Sequence, residues 1–341
     1  MEAGQVPFNK LRATESANFA WPDQSFVKLH WLLTAIAMCP SALAALPPTT
    51  PHSAALTTTP SAPRALRLLG LNRDPRVDEI SGAALSLRDP TQLWVVNDSD
   101  DGAVLHAISR DGSWRARVRV VAATATDWED LSSFQLDGQP YLLIADTGDN
   151  GGLRDHLSLL VVGEPRADQP SAAIAWQLDF RLPEGPRDIE AVAVDGSAGS
   201  VYLIAKRHFP RVLYRLPLRP AATGSTLLAE RVGSFDTLPA ATAAELAANP
   251  KFGRFQGDIT GLALDPQGRY ALVLSYRGLY FYPRFVGQSW LQALSHPPQR
   301  LSLPPMPQAE GLALDGQQKL AIVLSERLLA PIYQVVLPAP R

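Results

Sequence analysis

Asp127-Trp128-Glu129-Asp130-Leu131, then the apolar run Tyr141-Leu142-Leu143-Ile144, then Asp146-Thr147-Gly148-Asp149-Asn150: this order of acidic phrase, short apolar segment and polar turn returns along the chain. The other copies open on Glu79-Ile80-Ser81-Gly82-Ala83, Asp188-Ile189-Glu190-Ala191-Val192, Asp258-Ile259-Thr260-Gly261-Leu262 and Gln308-Ala309-Glu310-Gly311-Leu312. Successive copies lie about 48 to about 70 residues apart, a period that belongs to stacked structural units.

Each phrase is followed by a second apolar run (Leu93-Val96, Tyr141-Ile144, Val201-Ile204, Tyr270-Leu274, Leu320-Leu324) and a third (Val104-Ile108, Leu157-Val161, Val212-Leu216, Gly278-Tyr282, Pro331-Val335). The runs are short, rich in β-branched and aromatic residues, and bounded by Gly, Pro and Asp, which predicts strands and turns. Fourth strands fit near 116–120, 173–177, 228–232 and 300–303. The fifth repeat lacks one, and the spare strand 65–69 ahead of the first repeat is expected to pair with the last one and hide two open edges. The expected fold is therefore all-β, a β-propeller of five blades closed by that N-terminal strand. The alternative count is six, with a degenerate blade in 219–257.

Of 341 residues, 46% are hydrophobic and 19% charged, which predicts a globular chain. A net charge of -2 without a basic cluster excludes a nucleic-acid footprint. The stretch Val27 to Ala44 has a basic start, a short apolar run and Ala42-Leu43-Ala44, the pattern of a secretory signal. Residues 1–44 are thus read as extension and signal peptide, 45–64 as a Pro/Thr/Ser-rich linker, and 65–341 as the propeller. Cys39, the single cysteine, falls inside the signal, so no disulfide framework is expected in the exported chain. The expectation is a periplasmic or secreted monomer without stable membrane insertion.

Aligning the repeats produces two columns: Glu79, Asp127, Asp188, Asp258 and Gln308, and two residues on, Ser81, Glu129, Glu190, Thr260 and Glu310. Alternation along a strand places both columns on one face, so their carboxylates are expected to converge at one end of the channel. Like charges about 4 Å apart repel by about 4 kcal/mol at an effective dielectric of 20, so such a ring takes up protons or holds a cation. With oxygen donors and no His in either column, calcium fits better than zinc. The candidate metal ligands are Glu79, Glu129, Glu190, Asp258, Glu310, Asp98, Asp146 and Asp149.

The ends of the second strands form a third column, oxygen-rich in the first two repeats and carrying Lys206, Arg207, Arg277 and Arg327 in the others. A cation beside a basic half suits a small anionic substrate such as a phosphate or carboxylate ester. Lys206, Arg207, Arg277 and Arg327 are the candidate substrate contacts, and Asp127 or Asp188 the candidate base for water. Against this, an Asp at a strand start often serves as a turn former. His106 and His156 read as structural, and Gly-x-Ser-x-Gly is absent.

The strings Asp127-Trp128-Glu129-Asp130, Asp146-Thr147-Gly148-Asp149-Asn150 and Asp188-Ile189-Glu190-Ala191 resemble those of secreted bacterial β-propeller proteins of largely unassigned activity. More distantly, the plan is similar to calcium-activated nucleotidases and to phytase-like and lactonase-like propellers. That resemblance implies an axial calcium that activates water or polarises an ester, and carries over only the acidic axial positions. The activity it implies is hydrolysis of a phosphate, phosphoanhydride or lactone. The competing expectation is a peptide- or glycan-binding propeller with structural calcium.

Overall fold

The computed structural model describes residues 65–98, 101–222, 224–238 and 240–339. The signal-like run, Cys39 and the linker lie outside them. The described chain is all-β with two short helices. It enters on β1 (Leu66–Leu71). A first antiparallel set follows, β2 (Ile80–Leu85), β3 (Gln92–Asn97), β4 (Val104–Ser109) and β5 (Trp114–Val121). The second is β6 (Trp128–Leu136), β7 (Gln139–Asp146), β8 (Leu157–Gly163) and β9 (Ser171–Arg181). The third holds β10 (Ile189–Asp195), β11 (Ser200–Ala205), β12 (Arg211–Pro217) and, after the short β13 (Thr226–Leu228), β14 (Glu230–Phe235).

Helix α1 (Ala243–Ala248) precedes the fourth set, β15 (Ile259–Leu264), β16 (Tyr270–Ser275), β17 (Gly278–Pro283) and, past helix α2 (Trp290–Leu294), β18 (Gln299–Leu301). The fifth is β19 (Ala309–Asp315), β20 (Leu320–Ser325) and β21 (Pro331–Val336). Strand β1 completes it, with Leu66 opposite Val335 and Leu68 opposite Tyr333, the expected partner for residues 65–69. The stretch 219–257 contributes β13, β14 and α1 rather than a further four-stranded set.

The first and second sets join through a short parallel contact of β5 with β9, so one path runs β2-β3-β4-β5-β9-β8-β7-β6. Its terminal strands β2 and β6 pack on each other, and the path nearly closes. The same contact repeats around the molecule, β6 on β10, β10 on β15, β15 on β19 and β19 on β2. Apolar clusters fill the gaps between neighbouring sets. Trp94 and Leu105 meet Leu142 and Ile144 in one, and Leu143 and Leu159 meet Leu203 and Tyr214 in the next. A strand buried on both faces has no polar side to show, which explains why β3, β11, β16 and β20 read as continuous apolar runs.

Helix α2 has no counterpart in the sequence reading. A capping box of Ser289 and Gln292 starts it, and Trp290 anchors it by burial and by donating its Nε1–H to Asp195 at 2.8 Å. Its five residues are too few to show a helical period.

Candidate metal centre

The five first strands share a defect. In each, two residues stand opposite one on the second strand, with the break at Ile80/Gly82, Trp128/Asp130, Ile189/Ala191, Ile259/Gly261 and Ala309/Leu312. The residue skipped is Ser81, Glu129, Glu190 or Thr260, and in the fifth set it falls at Glu310-Gly311. The second acidic column is therefore a column of β-bulges, which re-aim a side chain out of the regular pleat. Its members leave the alternation on which the sequence argument rested, and it is the bulge that turns them.

The residue after the bulge is small in four of the repeats, Gly82, Ala191, Gly261 and Gly311. A Cβ on Gly82 would meet the Asp130 backbone of β6 at 2.7 Å, and one on Gly311 would meet Ile80 Cγ2 of β2 at 3.2 Å. The bare backbone is what lets the first strands come this close. In the second repeat the position is Asp130, whose buried carboxylate accepts Leu131 N–H at 2.8 Å and Val192 N–H of β10 at 2.7 Å and faces Leu262 N–H of β15. Burial pushes this carboxyl well above the usual range while the amides pull it down. Asp130 lies within the recurring acidic phrase, but nothing local in the sequence assigns it this role.

Hydroxyls of the bulge column close the ring: Ser81 Oγ donates to Trp128 O at 2.6 Å and Thr260 Oγ1 to Ala309 O at 2.7 Å. Its carboxylates serve differently. Asp98, Asp127 and Glu129 bring oxygens within 4.8 Å of one another, and so do Glu129, Asp188 and Glu190. These two clusters share Glu129. Glu190 is 2% exposed and Asp188 9%, yet Glu190 Oε2 and Asp188 Oδ2 have no hydrogen-bond donor. Arg207 Nη1 approaches Asp188 Oδ2 at 3.4 Å as an ion pair rather than a hydrogen bond. Buried carboxylate oxygens left without donors are costly, and a cation satisfies them. These buried clusters have the donor set to hold a metal ion.

Burial and proximity tune the surrounding acids. Burial pushes Asp127 up to about 8, helped by its hydrogen bond to Asp98, and holds Glu129 well above the usual range against the pull of Lys206. Burial and then the neighbouring Glu310 push Glu326 up to about 11. Asp258 is raised by burial, with Arg207 opposing. Glu326 follows β20 at the position that Asp98, Thr147, Lys206 and Tyr276 hold after β3, β7, β11 and β16. The sequence pattern gives it no role, because its partner Glu310 becomes visible only in the fold. Tyr276 was missed as well, and its hydroxyl donates to Glu310.

The other expected residues are placed as follows. Lys206 ion-pairs with Glu190 and lies 3.9 Å from Glu310, while Arg207 bridges Asp188 and Asp258 and donates to Asn150. Asp146 and Asp149 stand outside both clusters: Asp146 accepts the amides of Thr126 and Asp127 and pairs with Arg154, and Asp149 accepts those of Leu153 and Arg154. Asp149 thus shapes its own turn, whereas Asp146 ties the end of β7 to the segment leading into β6. Glu79 is exposed, and Arg327 donates to Gln308 Oε1 at 3.0 Å.

Arg277 holds Glu245 of α1 through Nε at 2.6 Å and Nη2 at 2.7 Å, and this fork draws the Glu245 carboxyl down to about 2. A depressed carboxyl stabilises the fold above its unfolded value of 4.5 and loses that contribution as pH falls toward 2. The Tm advantage of the wild type over Glu245→Gln is expected to be small, because the pair is partly solvated, and to vanish between pH 5 and 2. An advantage that persists at pH 2 would contradict the ion-pair account.

Gly148 presses directly on the centre: a Cβ there would collide with the carboxylates of Asp127 and Glu129. Gly148→Ala deletes no ligand and is expected to abolish a metal-dependent Tm shift by displacing both side chains. Unchanged metal response in this variant would place the ion elsewhere.

No family model and no curated protein matches the chain. Among solved structures, a structural-genomics protein of unknown function from Bacteroides thetaiotaomicron is similar, at 8% identity over 80% of this chain and 75% of that one, with a TM-score of 0.45. None of these comparisons supports the likeness to secreted propellers. Among the described residues no helix is long and apolar enough to cross a membrane.

Proposed function

We propose that this chain is a five-bladed β-propeller with an axial calcium centre, an exported monomer that hydrolyses a phosphate, phosphoanhydride or lactone-type ester. The cyclic packing of β2, β6, β10, β15 and β19 supports the architecture. One observation carries the metal reading: Glu190 and Asp188 keep buried, donorless oxygens inside a carboxylate cluster. Glu129, Asp188 and Glu190 would hold the ion, and oxygen donors without His or Cys favour calcium. When bound, calcium supplies Lewis acidity to an ester or phosphoryl oxygen. Asp127, beside this site, is the candidate to take a proton from water once a bound cation draws its carboxyl down, and Lys206 and Arg207 supply positive charge at the same end.

A second reading has an observation of its own. Lys206, Arg207 and Arg277 are each engaged by carboxylates, which favours a binding propeller for peptide or glycan with structural calcium. A screen of phosphoesters, phosphoanhydrides and lactones separates the two. Turnover that appears with calcium and disappears on chelation supports the hydrolase; calcium-induced stabilisation without any turnover leaves the binder. Export is tested separately, since N-terminal sequencing of protein recovered from cells is expected to start close to Ala45, and an intact Met1 would refute it.

A further inference from the structure

We infer that Lys206 is a resident counter-ion of the carboxylate ring, against which the divalent cation binds, so that this lysine sets how tightly the centre takes metal. The inference rests on the proposed metal centre and adds to it a device that regulates affinity. The Lys206 side chain is 8% exposed, and lysine is almost never buried unless paired. Its ammonium contacts Glu190 Oε1, lies 3.9 Å from Glu310 Oε1, and sits 5.7 Å from the centre of the Tyr276 ring.

Glu190 divides its two oxygens. Oε1 is taken by the lysine, and Oε2, without a donor, belongs to the carboxylate that clusters with Glu129 and Asp188. At the equivalent place after the second strand the other repeats carry Asp98, Thr147, Tyr276 and Glu326. The lysine thus breaks the symmetry of the ring with a positive charge. It neutralises crowded carboxylates when metal is absent and repels a divalent ion when metal arrives.

These two effects have opposite signs for one substitution. Met has an unbranched side chain that fills the space of the lysine stem without its charge. In chelator, Lys206→Met is expected to melt below the wild type. On titration of the full chain with calcium chloride alone, its association constant is expected to exceed the wild-type value by about tenfold or more, because one unit of repulsion beside the ion is gone. A role in packing alone would lower stability and leave calcium affinity unchanged.

Calorimetry and melting curves on the two proteins decide the matter. Wild type that binds calcium while Lys206→Met binds it equally or more weakly overturns the counter-ion role and leaves the metal centre standing. Wild type that takes no calcium overturns both. Should Lys206→Met fold only with calcium, the inference is supported in its strongest form. Should it not fold at all, Lys206→Met/Glu190→Gln removes both charges and is expected to fold in chelator; failure of that variant too would assign the lysine to packing.

Discussion

Glu129→Gln is expected to remove the calcium response while leaving stability in chelator unchanged or slightly raised. Glu129 is 4% exposed and is the residue that the two carboxylate clusters share, so one substitution reaches both. Gln keeps the volume and one carbonyl oxygen but cannot supply the negative charge that a calcium site needs. In the wild type, calcium at a hundredfold excess over its dissociation constant adds about 2.7 kcal/mol by mass action. For a chain of this size that is roughly 5 °C in Tm, well resolved in a melting scan. Without calcium, the substitution relieves crowding among acids and leaves the Lys206–Glu190 pair intact. If Glu129→Gln gains stability from calcium as the wild type does, these clusters are not the site.

The second large effect is structural. Asp130→Ala is expected to destabilise the fold by about 3 to 5 kcal/mol, a substantial share of what a domain possesses. The Asp130 carboxylate takes the Val192 amide of β10 and faces the Leu262 amide of β15, joining strands from three sets at the place where the other repeats have Gly or Ala. Removing it orphans buried amides on strands that have no further sheet partner on that side. Asp130→Asn keeps one acceptor and should fall in between. A shift in urea midpoint equivalent to less than about 1 kcal/mol would show that solvent satisfies those amides, and the carboxylate would lose its role as a tie between strands.

Both predictions turn on residues whose chemistry was visible in the chain and whose partners were not. The repeat of acidic phrase and two apolar runs was legible because each set buries both faces, so hydrophobicity alone marks its strands. The spare strand at 65–69 was legible for the same reason: the fifth repeat was one strand short, and an open edge must be covered. The convergence of Glu129 and Glu190 was anticipated, but through the wrong cause. Simple alternation was invoked, whereas a bulge at the same step of every first strand turns those side chains.

Asp146 and Asp149 show the limit from the other side. Their residue types suit a metal, yet Asp146 accepts amides from the segment ahead of β6 and Asp149 those of its own turn, and a local string of acids does not say which backbone each will meet. Glu326 and Tyr276 were passed over because their partner, Glu310, comes from another part of the chain.

The amino-acid sequence by itself determined the strands, their order and the pairing of the first strand with the last, since these follow from hydrophobic period and turn residues read locally. Tertiary structure alone decided which carboxylates meet, that Lys206 lies among them, and that Asp130 ties three first strands together. Bulges and ion pairs are set by the register between segments tens of residues apart, and no local pattern encodes that register.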